Sequence, residues 1–237
     1  MSGATDVRRE QLAGNLDAVR RRVAAACAAA GRAAGEVDIV VVTKFFPASD
    51  VRLLAELGVS DVGENRHQEA VDKAAECADL EVRWHYIGQL QSNKAAAVAG
   101  YADVVESVDR AKLVSGLARG AAERAKPLEC LLQVSLDPPG SDHRAGCDPD
   151  DLAALADRVA GEETLELRGL MAVAPLGADP QEAFEGLSGL AERFRSDHPG
   201  ATVLSAGMSG DLEQAISCGA THVRVGRAVL GERPLIK

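Results

Sequence analysis

Val37-Asp38-Ile39-Val40-Val41-Val42-Thr43-Lys44-Phe45 is the first apolar run of the chain, and its spacing from the second run decides the fold. Residues 50–57 carry apolar side chains at three- and four-residue spacing, the period of a helix face, and the second run, Asp61-Val62-Gly63-Glu64, comes directly after them. Strand, helix, strand is a parallel β-α-β unit, because two parallel neighbours need a crossover and a helix usually supplies it. The alternation continues through runs at 83–89, 103–108, 129–136, 165–173, 202–208 and 222–226. Ala- and Leu-rich helical segments separate most of them, of which 150–159 is an example. Eight such units close into an α/β fold, the (β/α)8 TIM-type barrel, and 237 residues suit one such domain spanning 1–237. An open doubly wound sheet is the alternative, but no Gly-x-Gly-x-x-Gly turn comes after the first run. Ahead of the barrel, residues 5–30 place Leu12, Leu16, Val19 and Val23 on one face of an extra N-terminal helix that Gly31 ends.

Composition narrows the function. Hydrophobic residues make up 46% of the chain and aromatics only 3%, so Ala, Val and Leu must pack the core. A net charge of -10 argues against nucleic acid or an anionic membrane as partner. Arg8, Arg9, Arg20, Arg21 and Arg22 are a local exception, and they read as the solvated face of the N-terminal helix. The five cysteines show neither metal-ligand spacing nor a disulfide framework. With no apolar signal core in the first ten residues and no run of membrane-spanning length, the expectation is a soluble, cytoplasmic, monomeric protein.

Such barrels carry their chemistry at the C-terminal ends of the strands and often hold phosphate on the loops after strands seven and eight. The first strand ends in Lys44, at the mouth. Backed by apolar wall, its ammonium is disfavoured and the amine becomes a nucleophile; alternatively the side chain snorkels into solvent. The seventh ends Ser205-Ala206-Gly207-Met208-Ser209-Gly210-Asp211. These small residues let an anion reach backbone N–H groups and serine hydroxyls, or they form a plain turn capped by Ser209 or Asp211. The eighth ends Arg224-Val225-Gly226-Arg227, with Arg224 and Gly226 on one face. Arg224 either points into the mouth or pairs with a neighbouring carboxylate. Strands seven, eight and one are neighbours in a closed barrel, so these features surround one opening. A phosphorylated aldehyde that forms a Schiff base would use all of them, and pyridoxal 5'-phosphate (PLP) is such a molecule. Asn65 either lines this pocket or caps the next helix. His85 reads as a hydrogen-bonded core histidine and Trp84 as packing; His67, His143, His198 and His222 form no spaced cluster.

Together, Val42-Thr43-Lys44-Phe45-Phe46-Pro47, Gly63-Glu64-Asn65, Trp84-His85-Tyr86-Ile87-Gly88-Gln89-Leu90-Gln91-Ser92-Asn93-Lys94, Gly169-Leu170-Met171-Ala172, Ser205-Ala206-Gly207-Met208-Ser209 and Val223-Arg224-Val225-Gly226 make the chain resemble the PLP homeostasis protein family, single-domain relatives of the alanine racemase N-terminal barrel. The resemblance covers nearly the whole chain. It implies that Lys44 carries PLP as a Schiff base, that Ser205, Ser209, Gly226 and the amide of Arg227 surround the phosphate, and that Arg224 faces the pyridine nitrogen. The chain departs from the family at Ala206, where a larger apolar residue is common, at Arg227, where Thr or Ser is common, and at His143-Arg144-Ala145-Gly146, a loop that usually carries a lysine. The role of Arg144 stays open. The function implied is buffering, carriage or delivery of PLP, with PLP-requiring apo-enzymes as partners. Two competitors are a PLP-dependent amino-acid racemase and a phosphosugar enzyme that forms a Schiff base at Lys44. Racemisation needs an acid-base group on each face of the substrate. In alanine racemase a tyrosine of an additional domain serves one face. This chain ends at Lys237 soon after the eighth run, and its only tyrosines, Tyr86 and Tyr101, fall in and beside strands three and four. A non-catalytic protein is therefore expected.

Overall fold

The computed structural model describes residues 2–138 and 145–233. Its first half runs α1 (Ser2–Ala29), β1 (Asp38–Val42), α2 (Ala48–Glu56), β2 (Asp61–Glu64), α3 (His67–Glu76), β3 (Arg83–Tyr86), α4 (Ala95–Ala99), β4 (Val104–Val108) and α5 (Ala111–Ala121). The second half runs β5 (Leu128–Gln133), α6 (Leu152–Ala160), β6 (Leu165–Met171), α7 (Pro180–Asp197), β7 (Val203–Ser205), α8 (Leu212–Ser217), β8 (His222–Val225) and α9 (Arg227–Leu230). Every strand pairs in parallel with the next, and β8 closes on β1 from Asp38↔His222 to Val41↔Val225. The expected (β/α)8 barrel and its additional N-terminal helix are both present.

Several strands stop short of their apolar runs. β1 ends at Val42, β3 at Tyr86 and β7 at Ser205. At two of them the backbone gives the reason. Phe45 adopts φ 72 and Gly207 φ 88, left-handed values that a strand cannot continue through. At Gly207 the geometry admits nothing larger, because a Cβ would stand 2.6 Å from that of Ala215.

Outward-facing strand residues bury against the helices in two apolar arcs. Val41, Val62, Trp84, Val223 and Val225 pack with α1, α2 and α8. Val105, Cys130, Leu132, Leu170 and Leu204 pack with α4 to α7. α1 lies across the seam where the barrel closes, with Leu12, Leu16, Val19 and Val23 buried as its spacing predicts. Its arginines do more than face solvent. Arg8 pairs with Asp50 at 2.6 Å and donates to the carbonyl of Leu230, while Arg22 pairs with Glu213 and donates to the carbonyl of Ser209. Asn15 adds a bond to the carbonyl of Val229 at 2.9 Å. α1 thereby ties down the loop after β7 and the short helix α9 after β8. Among the described residues no helix is long and apolar enough to cross a membrane, and all five cysteines are free and buried.

The barrel interior holds charge as well as apolar side chains. His85 Nδ1 lies 2.7 Å from Glu106 and Nε2 lies 2.9 Å from Asp61. Ser205 donates to the other Glu106 oxygen at 2.6 Å, and Arg224 donates to Ser205 at 2.6 Å. A charge this deep is tolerated only when paired. Two carboxylates meet one imidazole and one guanidinium here. Burial by itself would push the His85 pKa down, but the hydrogen bonds to Asp61 and Glu106 outweigh it and raise the value to about 9. Burial would likewise raise the two carboxyl groups, and the bonds to His85 instead hold each at about 2. The neighbouring ring of His222, 6.4 Å away, is kept neutral by burial.

A raised folded-state pKa fixes the sign of the pH dependence. The stability that His85 contributes is complete below about pH 6.5, the value of an unfolded imidazole, and is lost as pH rises through about 9. At about 1.4 kcal/mol per pKa unit the loss amounts to about 3 kcal/mol. Urea unfolding at pH 6 to 10 should show this decline in the wild type and not in His85→Gln, which keeps hydrogen-bonding capacity but cannot titrate. Parallel profiles for the two proteins would mean that His85 is uncharged in the fold.

Candidate functional site

The turn after β1 is built from outside the barrel. Thr43 points outward and its hydroxyl donates to Glu64 at 2.6 Å. Lys73 of α3, 4% exposed, donates to Glu64 at 2.6 Å, to Glu69 at 3.1 Å and to the carbonyl of Thr43 at 3.0 Å. Glu69 accepts the N–H of Phe45, the residue with left-handed φ. This clamp consumes the polar groups on either side of Lys44 and sends Lys44 itself inward. Among the described residues its amine has no hydrogen-bond or ion-pair partner. Burial lowers its pKa, and the charges of Arg233 and Arg66 lower it further against Glu64 and Glu69. The amine is thus biased toward its neutral, nucleophilic form.

Lys44 opens into a cavity of about 300 Å³ at the C-terminal mouth of the barrel. Ser209 and Gly210, on the loop after β7, form one side, with Gly226 and Arg227 after β8 beside them. Arg224 of β8 and Ile87, after β3, also line it. Gly226 is close to β1, where a Cβ would stand 3.3 Å from the carbonyl of Val42. On the loop after β7, Asp211 accepts the N–H of Met208 at 2.6 Å. Among the described residues the N–H groups of Ser209, Gly210 and Arg227 and the Ser209 hydroxyl have no protein acceptor or donor. Among the described residues the lining contains Lys44, Arg224, Arg227 and Arg233 and no carboxylate. In a chain of net charge -10, this pocket is positive. It suits an anionic ligand that carries a group reactive toward an amine.

Most of the expected residues converge here, namely Lys44, Ser209, Arg224, Gly226 and Arg227. Two do not reach the pocket wall. Ser205 is fully buried beneath it, its proton given to Glu106 and its oxygen accepting from Arg224. Asn65 neither lines the cavity nor caps α3, which starts after Arg66 without a side-chain cap. Its carbonyl instead packs where a Cβ on Gly88 would sit, 2.1 Å away. His85 is the hydrogen-bonded core histidine expected, and Trp84 is packing. Arg224 takes both of its readings at once, since it faces the cavity and lies 3.8 Å from Glu106. Arg144 lies outside the described residues. Arg233, beyond α9, was not anticipated. Its guanidinium lies over the Phe45 ring at 4.7 Å from the centroid, and that of Arg66 lies over the same ring at 4.9 Å. Neither Tyr86 nor Tyr101 lines the cavity.

A profile of the family "alanine racemase, N-terminal domain" matches residues 14–234. The pyridoxal phosphate homeostasis protein of Mycobacterium tuberculosis H37Rv is 44% identical over 96% of this chain and 95% of its own length. The protein of that name from Escherichia coli K12 is 35% identical, with 95% and 98% covered. Among solved structures, PipY of Synechococcus elongatus PCC7942 with PLP bound superposes with a TM-score of 0.80 at 35% identity, over 93% of this chain and 100% of that one. Profile and full-length relatives agree, and the chain belongs to the pyridoxal phosphate homeostasis protein family, built on the alanine racemase N-terminal barrel.

Proposed function

We propose that the protein binds PLP covalently through Lys44 and keeps it available inside the cell without turning over a substrate. The observation that carries the reading is the half-buried Lys44 amine, which among the described residues has no partner and shares its cavity with three arginines and no carboxylate. The residues present fit the cofactor group by group. Lys44 meets the aldehyde as a Schiff base. The Ser209 hydroxyl, the free N–H groups of Ser209 and Arg227 and the close backbone approach at Gly226 surround the phosphate. Arg224 faces the pyridine nitrogen, and because a guanidinium only donates, it cannot accept a hydrogen bond from a protonated ring nitrogen and leaves that nitrogen unprotonated. Ser205 and Asn65 act from behind this wall rather than on the ligand. When bound, PLP supplies an electrophilic carbonyl and an electron-withdrawing ring. The PipY relative supports the assignment, since it is known with PLP bound. Free, buried cysteines fit a reducing cytoplasm, and PLP-requiring apo-enzymes are the natural recipients.

Lys44→Ala should remain folded and lose the visible absorption that PLP gives on a lysine. Borohydride reduction and then peptide mapping should place the adduct on Lys44, and an adduct on Lys94 or Lys112 would overturn the assignment. Pyridoxal without its phosphate should bind more weakly by on the order of 3–6 kcal/mol, the worth of about two charge-assisted hydrogen bonds. Equal affinity for both would remove the phosphate cradle.

The non-catalytic reading rests on what the cavity offers a substrate. Lys44 can exchange a proton on one face, while neither tyrosine lines the cavity to serve the other. PLP-loaded protein incubated with L-alanine in deuterated water should exchange the α-proton slowly or not at all and form no D-alanine. Steady D-alanine formation that disappears in Lys44→Ala would make the protein a racemase.

A further inference from the structure

We propose that Ser205 and Glu106 are positioning residues for Arg224, a buried relay that sets where the guanidinium stands in the pocket. The inference rests on the reading of the cavity as a PLP site. Arg224 is 4% exposed, and its two terminal nitrogens have separate anchors. Nη2 donates to the carbonyl of Ala172, just past β6, at 2.8 Å, and Nη1 donates to Ser205 Oγ on β7 at 2.6 Å.

Proton counting gives the relay its direction. A serine hydroxyl has one proton, and Arg224 can only donate. Ser205 must therefore accept from Arg224 and give its own proton to Glu106, 2.6 Å away on β4. Glu106 is fully buried, and each of its oxygens takes one strong donor, Oε2 from Ser205 and Oε1 from His85. His85 in turn is held on its other nitrogen by Asp61 of β2. The guanidinium is thus located by a chain that crosses the barrel, and the part of it facing the cavity is what a ligand meets. Glu106, 3.8 Å from Nη1, also offsets part of the charge that Arg224 presents. Ser205 has no spare donor for a phosphate, so its effect on the ligand must pass through Arg224.

That distinction is measurable. Affinity for PLP and for pyridoxal, together with the absorption maximum of the bound ligand, should be determined for wild type, Ser205→Ala, Ser205→Thr, Glu106→Gln, Arg224→Gln and the Ser205→Ala/Arg224→Gln double variant. Circular dichroism and thermal unfolding of the unloaded proteins establish folding. Ser205→Ala should weaken binding about tenfold, the worth of one hydrogen bond to a charged group. The loss should be equal for PLP and pyridoxal, with a displaced absorption maximum. Ser205→Thr should restore both. Glu106→Gln should displace the maximum without breaking the chain, which keeps the test alive should Ser205→Ala not fold. In the Arg224→Gln background Ser205→Ala should have no further effect. A Ser205→Ala loss confined to PLP, or undiminished in the Arg224→Gln background, would show that Ser205 touches the phosphate and would overturn the relay. Wild-type spectra and affinity in both Ser205→Ala and Glu106→Gln would overturn it equally. Failure of the wild type to bind PLP at all would instead defeat the reading of the pocket.

Discussion

A fully buried carboxylate must find a strong donor for each oxygen, and Glu106 imposes that demand on the centre of this barrel. One oxygen takes His85, which is thereby held cationic, and the other takes Ser205. Those two choices propagate. A cationic His85 requires a second anion and finds Asp61, near the N-terminal ends of the strands. A serine that has spent its proton can still accept, and it accepts from Arg224, at the mouth. The arginine that a ligand meets is therefore placed by a pairing requirement that begins well below the site. Removing a charged member leaves its buried partner one strong contact short, which costs more than the bond itself is worth.

The site is assembled from two directions by different means. From within, the ion chain sets Arg224. From outside, Lys73 and Glu69 of α3 hold the turn that carries Lys44, and α1 fastens the loop after β7 and the short helix α9 after β8 through Arg22, Asn15 and Arg8. Catalytic and binding barrels commonly rely on such a division, with reactive groups on strand ends and adjustable loops held by helices. The result is a strongly positive cavity in an acidic protein, so an anionic ligand is drawn to one place and repelled from most of the remaining surface.

The fold was legible because its signals are local. Short strand segments alternate with helical stretches along the chain, and Leu12, Leu16, Val19 and Val23 announce the buried face of α1 at helical spacing. Lys44, Ser209, Arg224, Gly226 and Arg227 were legible because a closed barrel makes strands seven, eight and one neighbours, so that chain order becomes spatial order. What the sequence withheld depends on partners far apart in the chain. Ser205 and Glu106 are 99 residues apart, and no local pattern pairs the serine with a buried carboxylate. Lys73 carries no motif that ties it to Thr43. Arg233 lies past the last strand, where spacing rules say nothing, and only its place over the Phe45 ring brings it to the mouth. The strand ends were overestimated for a related reason. A left-handed φ at a non-glycine such as Phe45 is stabilised by distant contacts and leaves no trace in local propensity.

The outer clamp on the lysine turn has a kinetic meaning. Fixing the backbone of one residue costs about 1–2 kcal/mol in conformational entropy. At Thr43 and Phe45 that cost is met at folding by Lys73, Glu64 and Glu69, none of which lines the cavity. On the proposed reading, arrival and departure of PLP involve a covalent bond to one side chain and a few hydrogen bonds, on a wall whose clamp lies outside the cavity. If the clamp holds the wall in place throughout, exchange runs at a rate set by imine chemistry, the property that the proposed reservoir needs and an induced-fit catalyst gives up.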